Sequence, residues 1–331
     1  MSLANTLTAP DLLHARDAHI TRLQRLFTGA TPEQPFYLLG LTGSSPADLY
    51  TEPERWVAEA LQSLADQSER LRDERVFRPL CLEFNPYGVH FVDRIFGARV
   101  WEHAGQWWSE CLTTSVGSLR PPDLGTDPTW ALARRAAETY LAHGVTVPYF
   151  VLPTIASALN VIVNLYGEAF LVALLADPAA AERDLATINT LLCELHQWYR
   201  ARFPAEQIQA IAAAGRTQPP GYGQLCGCTT QLLSARQYAQ FVAPLDAELL
   251  GGYPNGGMIH LCGAHTQHLP VWRKMRQLRA VQVNDRAAED LEAYFTELRD
   301  DQVIYLNPTA TMTAQRALEI TGGRRLVIVG E

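Results

Sequence analysis

GMIHLCGAHTQHLPVWRKMRQLRAVQVNDRAAEDLEAYFTELRDDQVIYLNPTATMTAQRALEITGGRRLVIVGE, residues 257 to 331, decides the fold. Four short apolar runs, Met258 to Leu261, Ala280 to Val283, Val303 to Leu306 and Leu326 to Val329, alternate with longer amphipathic stretches at His265 to Arg276, Ala287 to Asp300 and Thr311 to Thr321. Runs that are apolar at nearly every position are strands buried on both faces, and helices between them make the sheet parallel. Working outward, weaker strand patterns stand at Tyr222 to Leu225, Gln207 to Ala213, Val145 to Leu152 and Phe77 to Phe84. About eight such candidates in a chain of this length predict a (β/α)8 TIM barrel. An open doubly wound sheet is the alternative, although no glycine-rich dinucleotide or phosphate loop follows any strand. Residues 1 to 75 read as an N-terminal helical extension, with Trp56, Val57, Ala60, Leu61, Leu64 and Leu71 near helical spacing. Residues 76 to 331 read as the barrel, and the two together as a single domain.

Composition excludes several classes of function. The 331 residues are 47% apolar and carry 27 basic against 35 acidic side chains, a formal net charge of −8. A chain of this size buries roughly three quarters of its unfolded surface, so disorder is excluded. Lys274 is the only lysine and the arginines form no basic patch, so nucleic acid is not an expected partner. Gly144 to Gly167 is free of charge, but Pro148, Pro153, Asn160 and Asn164 argue against a membrane span and for a buried strand followed by a buried helix. Six cysteines are too sparse for a disulfide framework, and the N-terminus lacks a basic segment followed by an apolar one. The expected location is the cytoplasm, with the thiols reduced.

The chemistry concentrates at the ends of the predicted strands. His260 and Cys262, two residues apart at a strand terminus, leave the backbone on the same face. An imidazole beside a thiolate suits zinc better than magnesium or calcium; the plainer alternative is a buried cysteine beside a hydrogen-bonded histidine. Cys226 and Cys228, after the Tyr222 strand, are either metal-binding thiols or small core residues. His265 and His268 lie one turn apart just beyond and read as supporting donors, extra ligands or solvated caps. The loop from Leu82 to Gly97 is dense in Asn85, Tyr87 and His90 and reads as a substrate wall or as ordinary loop packing.

The segments LLSARQYAQFVAPLDAELL (232 to 250), MIHLCGAHTQHLP (258 to 270) and the loop from EFNPYG to FGARV (83 to 100) resemble the uroporphyrinogen decarboxylase-like superfamily. Within it they are most similar to the zinc-dependent, corrinoid-linked methyltransferase branch. The resemblance covers roughly residues 77 to 331 and implies a (β/α)8 barrel. It implies that His260 and Cys262 are zinc ligands, that zinc holds a thiol as thiolate, and that a methyl group moves between a small methyl donor or thiol acceptor and a corrinoid on a partner protein. The branch supplies a further cysteine at the last barrel strand, whereas no cysteine follows Cys262 here. Glu331 is nearest that position and is the expected third ligand, with Cys226, Cys228 or Asp285 as alternatives. Asn85, Tyr87, His90, Tyr222, Cys226, Cys228, His265 and Asn307 are the expected substrate-binding residues. The alternatives to methyl transfer are a cofactor-free decarboxylase acting on a porphyrinogen-like acid and a non-catalytic barrel that binds metal or corrinoid. The arginine-rich motif of the decarboxylases has no match between residues 30 and 80.

Overall fold

The computed structural model describes residues 3–153, 156–210 and 214–330. It is a mixed α/β fold built on parallel strands. Seven of them form one sheet: β1 (Phe36–Leu38), β3 (Val76–Phe77), β9 (Gly223–Cys226), β10 (Gly257–Leu261), β11 (Leu278–Val283), β12 (Val303–Leu306) and β13 (Leu326–Val329), in the order β3-β1-β13-β12-β11-β10-β9. A second sheet has the order β2-β4-β7-β8, from β2 (Leu41–Thr42), β4 (Leu80–Glu83), β7 (Tyr149–Val151) and β8 (Ile208–Gln209). Only two residues separate β1 from β2, and only Arg78 and Pro79 separate β3 from β4, so each pair is one interrupted strand. Backbone bonds from Leu39 to Phe77 and from Leu41 to Pro79 carry the pairing across the interruptions. The two sheets therefore continue one another. Among the described residues no ladder joins β8 to β9, so the run of strands is not seen to close.

The strands form where the sequence is apolar on both sides. Every residue of β10 and of β12 is buried, as a strand covered on both faces requires. Caps start the outer helices: the Asp127 carboxylate accepts from the Trp130 N–H, Ser157 from Asn160 and Thr313 from Arg316, each satisfying a donor that the first turn leaves free. Gly257 lets β10 approach β9, since a Cβ there would lie 2.3 Å from the Gly223 carbonyl oxygen.

Several expectations change on inspection. The N-terminal 75 residues are not all helical, because β1 lies inside the sheet between β13 and β3. Its three residues are too short a run to show alternation beside the strong amphipathic pattern of the helix Pro53–Gln67. An antiparallel hairpin, β5 (Val100–His103) with β6 (Gln106–Ser109), pairs Trp101 with Trp108 where no strand was expected. The uncharged stretch from Gly144 contains β7 and the buried helix Ala158–Tyr166, which meets the helix Glu168–Ala176 at 108°. No single helix among the described residues is long and apolar enough to cross a membrane.

Candidate metal centre

In a parallel sheet all strands end at one edge, and partners in register send side chains to the same face. The register pairs Cys226 of β9 with His260 of β10, and His260 with Gln282 of β11. One row of the sheet, near its carboxyl edge, thus carries a thiol, an imidazole and an amide side by side. Gly227 then donates its N–H to the His260 carbonyl at 2.7 Å and returns the chain, so that Cys228 folds back onto Cys226 with 3.4 Å between the sulfurs. A side chain at Gly227 would collide with Ile259, its Cβ lying 2.6 Å from Ile259 Cγ2. The glycine between the two cysteines is what brings both to β10.

The Cys226, Cys228 and His260 donor atoms all lie within 4.8 Å of one another. Cys262 stands beside this group, its Sγ 3.2 Å from His260 Nε2 but not within 4.8 Å of every other donor. Gly263, at φ +82°, makes the turn that follows, a backbone conformation that favours glycine. Two thiolates on a tetrahedral zinc sit about 3.8 Å apart, and a thiolate and an imidazole about 3.6 Å apart. The observed separations match that chemistry, and the soft donor set fits zinc.

The surroundings prepare His260 for ligation. Its Nδ1 is hydrogen-bonded to the side-chain oxygen of buried Gln282, an acceptor, so the imidazole proton resides on Nδ1 and the Nε2 lone pair faces the thiols. Gln282 is itself oriented by donating to Asn307 Oδ1 at the end of β12. Asn307, expected at the substrate, is thus the outer member of an Asn307–Gln282–His260 chain. Arg216 comes from the segment between β8 and β9 and brings a guanidinium nitrogen 3.4 Å from His260 Nε2. Burial lowers its pKa, while the charges of Cys226, Cys228 and Cys262 raise it. The Cys226 and Cys262 thiols are pulled below the ordinary range, first by hydrogen bonding with Cys228 and then with help from His260. Cys228 is pushed up by the same contacts, so it retains the proton that the other two give up.

Arg216 was not foreseen. Its signal is present, since it is the one charged residue between Glu206 and Arg236. Gln282 was also missed, because an amide inside an apolar strand reads as a tolerated core polar residue.

The other expected site residues separate into groups. His265 is fully buried and uses Nδ1 on the Thr230 hydroxyl at 2.9 Å and Nε2 on the Cys262 carbonyl at 3.2 Å, so it braces the turn and has no nitrogen left for substrate. Burial holds its pKa down at about 4, which keeps it neutral. His268 bonds the Thr230 carbonyl at 2.9 Å and does not reach the centre as a ligand. Tyr222 precedes β9 and therefore lies at the amino edge, packed on Phe27 at 4.6 Å; the length of β9, about 13 Å, separates it from Cys226. Asn85, Tyr87 and His90 do follow the carboxyl end of β4. His90 Nδ1 lies 2.6 Å from Asp93 Oδ2, which also accepts from Asn164 at 2.9 Å. Tyr87 and Asp285 are non-glycine residues at positive φ, 62° and 46°, and both sit in loops at this edge, where a strained backbone accompanies function. Asp285 is exposed and accepts from Asn284, whose Nδ2 also lies 3.9 Å from Cys262 Sγ. Glu331 lies outside the described residues.

No protein-family profile matches the chain, and no curated protein matches it by sequence. The fold is similar to that of a methyltransferase from Methanosarcina mazei. The superposition has a TM-score of 0.67 over 94% of this chain and 92% of that one, at 13% identity. Identity that low establishes a shared architecture and leaves the chemistry to be argued from the residues.

Proposed function

We propose that the chain is a zinc-dependent methyltransferase of the uroporphyrinogen decarboxylase-like superfamily. In this reading it moves a methyl group between a small methylated substrate or thiol and a corrinoid carried by a partner protein. The parallel strands are read as a (β/α)8-type barrel and the six free thiols as those of a cytoplasmic protein. One observation carries the reading: three soft donors, Cys226, Cys228 and His260, converge at the carboxyl edge of a parallel sheet with Cys262 beside His260, where such folds place their active sites. The likeness to a methyltransferase fold supports it.

Zinc held by these three donors would leave a fourth position for a substrate sulfur and hold it as thiolate at neutral pH. The protein's own groups do the rest. Gln282 fixes the tautomer of His260 and Asn307 fixes Gln282, which keeps the ligand geometry intact when substrate enters. With a substrate thiolate beside Cys226 and Cys228 the centre would carry a net charge of −1, which the Arg216 guanidinium beside His260 would offset. Tyr87, His90 and Asn85, at the end of β4, form the substrate wall.

Metal content per chain, measured by elemental mass spectrometry on wild type and on His260→Ala, Cys226→Ser and Cys228→Ser, tests the centre. Near-stoichiometric zinc that is lost in all three supports it. Methyl transfer is then followed with methylcobalamin and a panel of small thiols. Zinc without any turnover would turn the reading toward a non-catalytic barrel, and a chain that refuses zinc would remove it altogether.

A further inference from the structure

A second concavity lies far from the thiols. A cavity of about 780 Å³ opens between the helix Pro10–Phe27, residues 30 to 36 and the turn at residues 71 to 75. Its walls include Phe36, the first residue of β1, and Arg75, which immediately precedes β3. These are the amino ends of strands whose carboxyl ends face the other way, so the cavity stands at the edge opposite the thiol centre. Its volume falls within the range of small-molecule sites, about 300 to 1,000 Å³.

Four guanidinium groups line it, those of Arg22, Arg25, Arg72 and Arg75. The carboxylates present are Asp11, Glu33 and Glu74; Arg72 is already paired with Asp11 and with Glu69 beyond the lining, which leaves Arg25 and Arg75 as the guanidinium groups with no side-chain partner among the described residues. Two unpaired guanidinium groups on a chain of net charge −8 make the lining a focus for anions. Arg25 and Arg75 are exposed and make no side-chain hydrogen bond or ion pair among the described residues. Arg22 lies over the Phe36 ring at 5.5 Å and donates to the Glu74 carbonyl. His19 is only 4% exposed, stacks on Phe77 at 4.9 Å, and its Nδ1 has no hydrogen-bond partner. Leu26, Leu71 and Pro32 give the cavity an apolar side.

We propose that this cavity binds a small organic anion bearing phosphate or carboxylate groups on an apolar body. Arg25 and Arg75 grip the anionic groups, and the apolar side takes the body. Guanidinium forks match the planar, paired oxygens of either group. The site is independent of the metal centre and of methyl transfer.

Isothermal titration calorimetry on the full chain at low ionic strength tests it with pyrophosphate, citrate and adenosine monophosphate. At least one should bind saturably with a dissociation constant of millimolar or tighter, and the preferred probe tells phosphate from carboxylate. Arg25→Glu and Arg75→Glu should each weaken that binding about tenfold or more, and Arg25→Gln and Arg75→Gln by a smaller factor, while Cys262→Ser leaves it unchanged. Thermal melts and circular dichroism establish that each variant is folded, and the glutamine pair serves if the reversals are not. Failure of all three probes to bind wild type at millimolar concentration overturns the proposal. So does binding that survives the arginine substitutions in folded protein.

Discussion

Asp246 offers a test of how the region behind the thiols is built. Its carboxylate is buried, 2% exposed, and accepts a hydrogen bond from the Tyr238 hydroxyl at 2.7 Å; Trp272 Nε1 in turn donates to that hydroxyl at 2.8 Å. Burial raises the Asp246 pKa to about 7; the Tyr238 hydrogen bond opposes the rise and the nearby Cys226 adds to it. An acid whose folded pKa is raised is most favourable to folding when both states are protonated, below about 4. Its cost appears as pH climbs from the unfolded value of 3.8 toward 7, then stays constant. Fully developed, the cost is about 4 kcal/mol, of which only about 1 kcal/mol is present at pH 4.5. Asp246→Asn retains an oxygen to accept from Tyr238 and carries no charge. Its stability relative to wild type should therefore increase by about 3 kcal/mol between pH 4.5 and pH 8. Urea unfolding followed by tryptophan fluorescence at several pH values measures this difference directly, because titrations common to both proteins cancel. A difference independent of pH would refute the assignment of a neutral, desolvated carboxyl to this position.

Further outcomes follow from particular contacts. Gln282→Leu removes the group that fixes the His260 tautomer, so zinc affinity in a chelator competition should fall about 10- to 100-fold with the fold retained; unchanged affinity would break the argument for Nε2 ligation. Asp184, 1% exposed, accepts from the Gly117 N–H at 2.6 Å and the Leu119 N–H at 3.0 Å. Asp184→Ala strands both donors and should cost about 2 to 4 kcal/mol in denaturant unfolding, and a loss below about 1 kcal/mol would show that water replaces the carboxylate. Gly257→Ala places a methyl against the Gly223 carbonyl between β9 and β10, and should cost about 3 kcal/mol or prevent soluble expression; a melting temperature within a degree of wild type would contradict this close approach.

The C-terminal half was legible because its strands are apolar throughout, and β10, β11, β12 and β13 lie where the sequence pattern puts them. The helices between them are shorter and more broken than their amphipathic stretches suggest: Leu269–Lys274 covers only part of 265 to 276, and Asp290 interrupts the next between Arg286–Glu289 and Leu291–Glu297. Pro270 and the buried His268 explain the first, since a proline is tolerated only in a first turn. His260 and Cys262 stood out as a pair because two residues of one strand share a face. Their approach to Cys226 and Cys228 was not legible, because it depends on the register between two strands and on Gly227. Register comes from packing, and a single sequence carries no direct record of it.

Cys226 ends β9 and His260 lies in β10, and β9 is the last strand in its ladder, with one edge unpaired among the described residues. A four-residue edge strand held on one side only is the segment most prone to fray. An ion bound by Cys226 at the end of that strand, by Cys228 in the turn after it and by His260 from its neighbour would act as a rivet at the free margin. Occupancy of the centre would then be recorded in the backbone itself: amide exchange across Gly223 to Cys226 slows when zinc is present and quickens on chelation, while the exchange of β12, deep in the sheet, stays as it was.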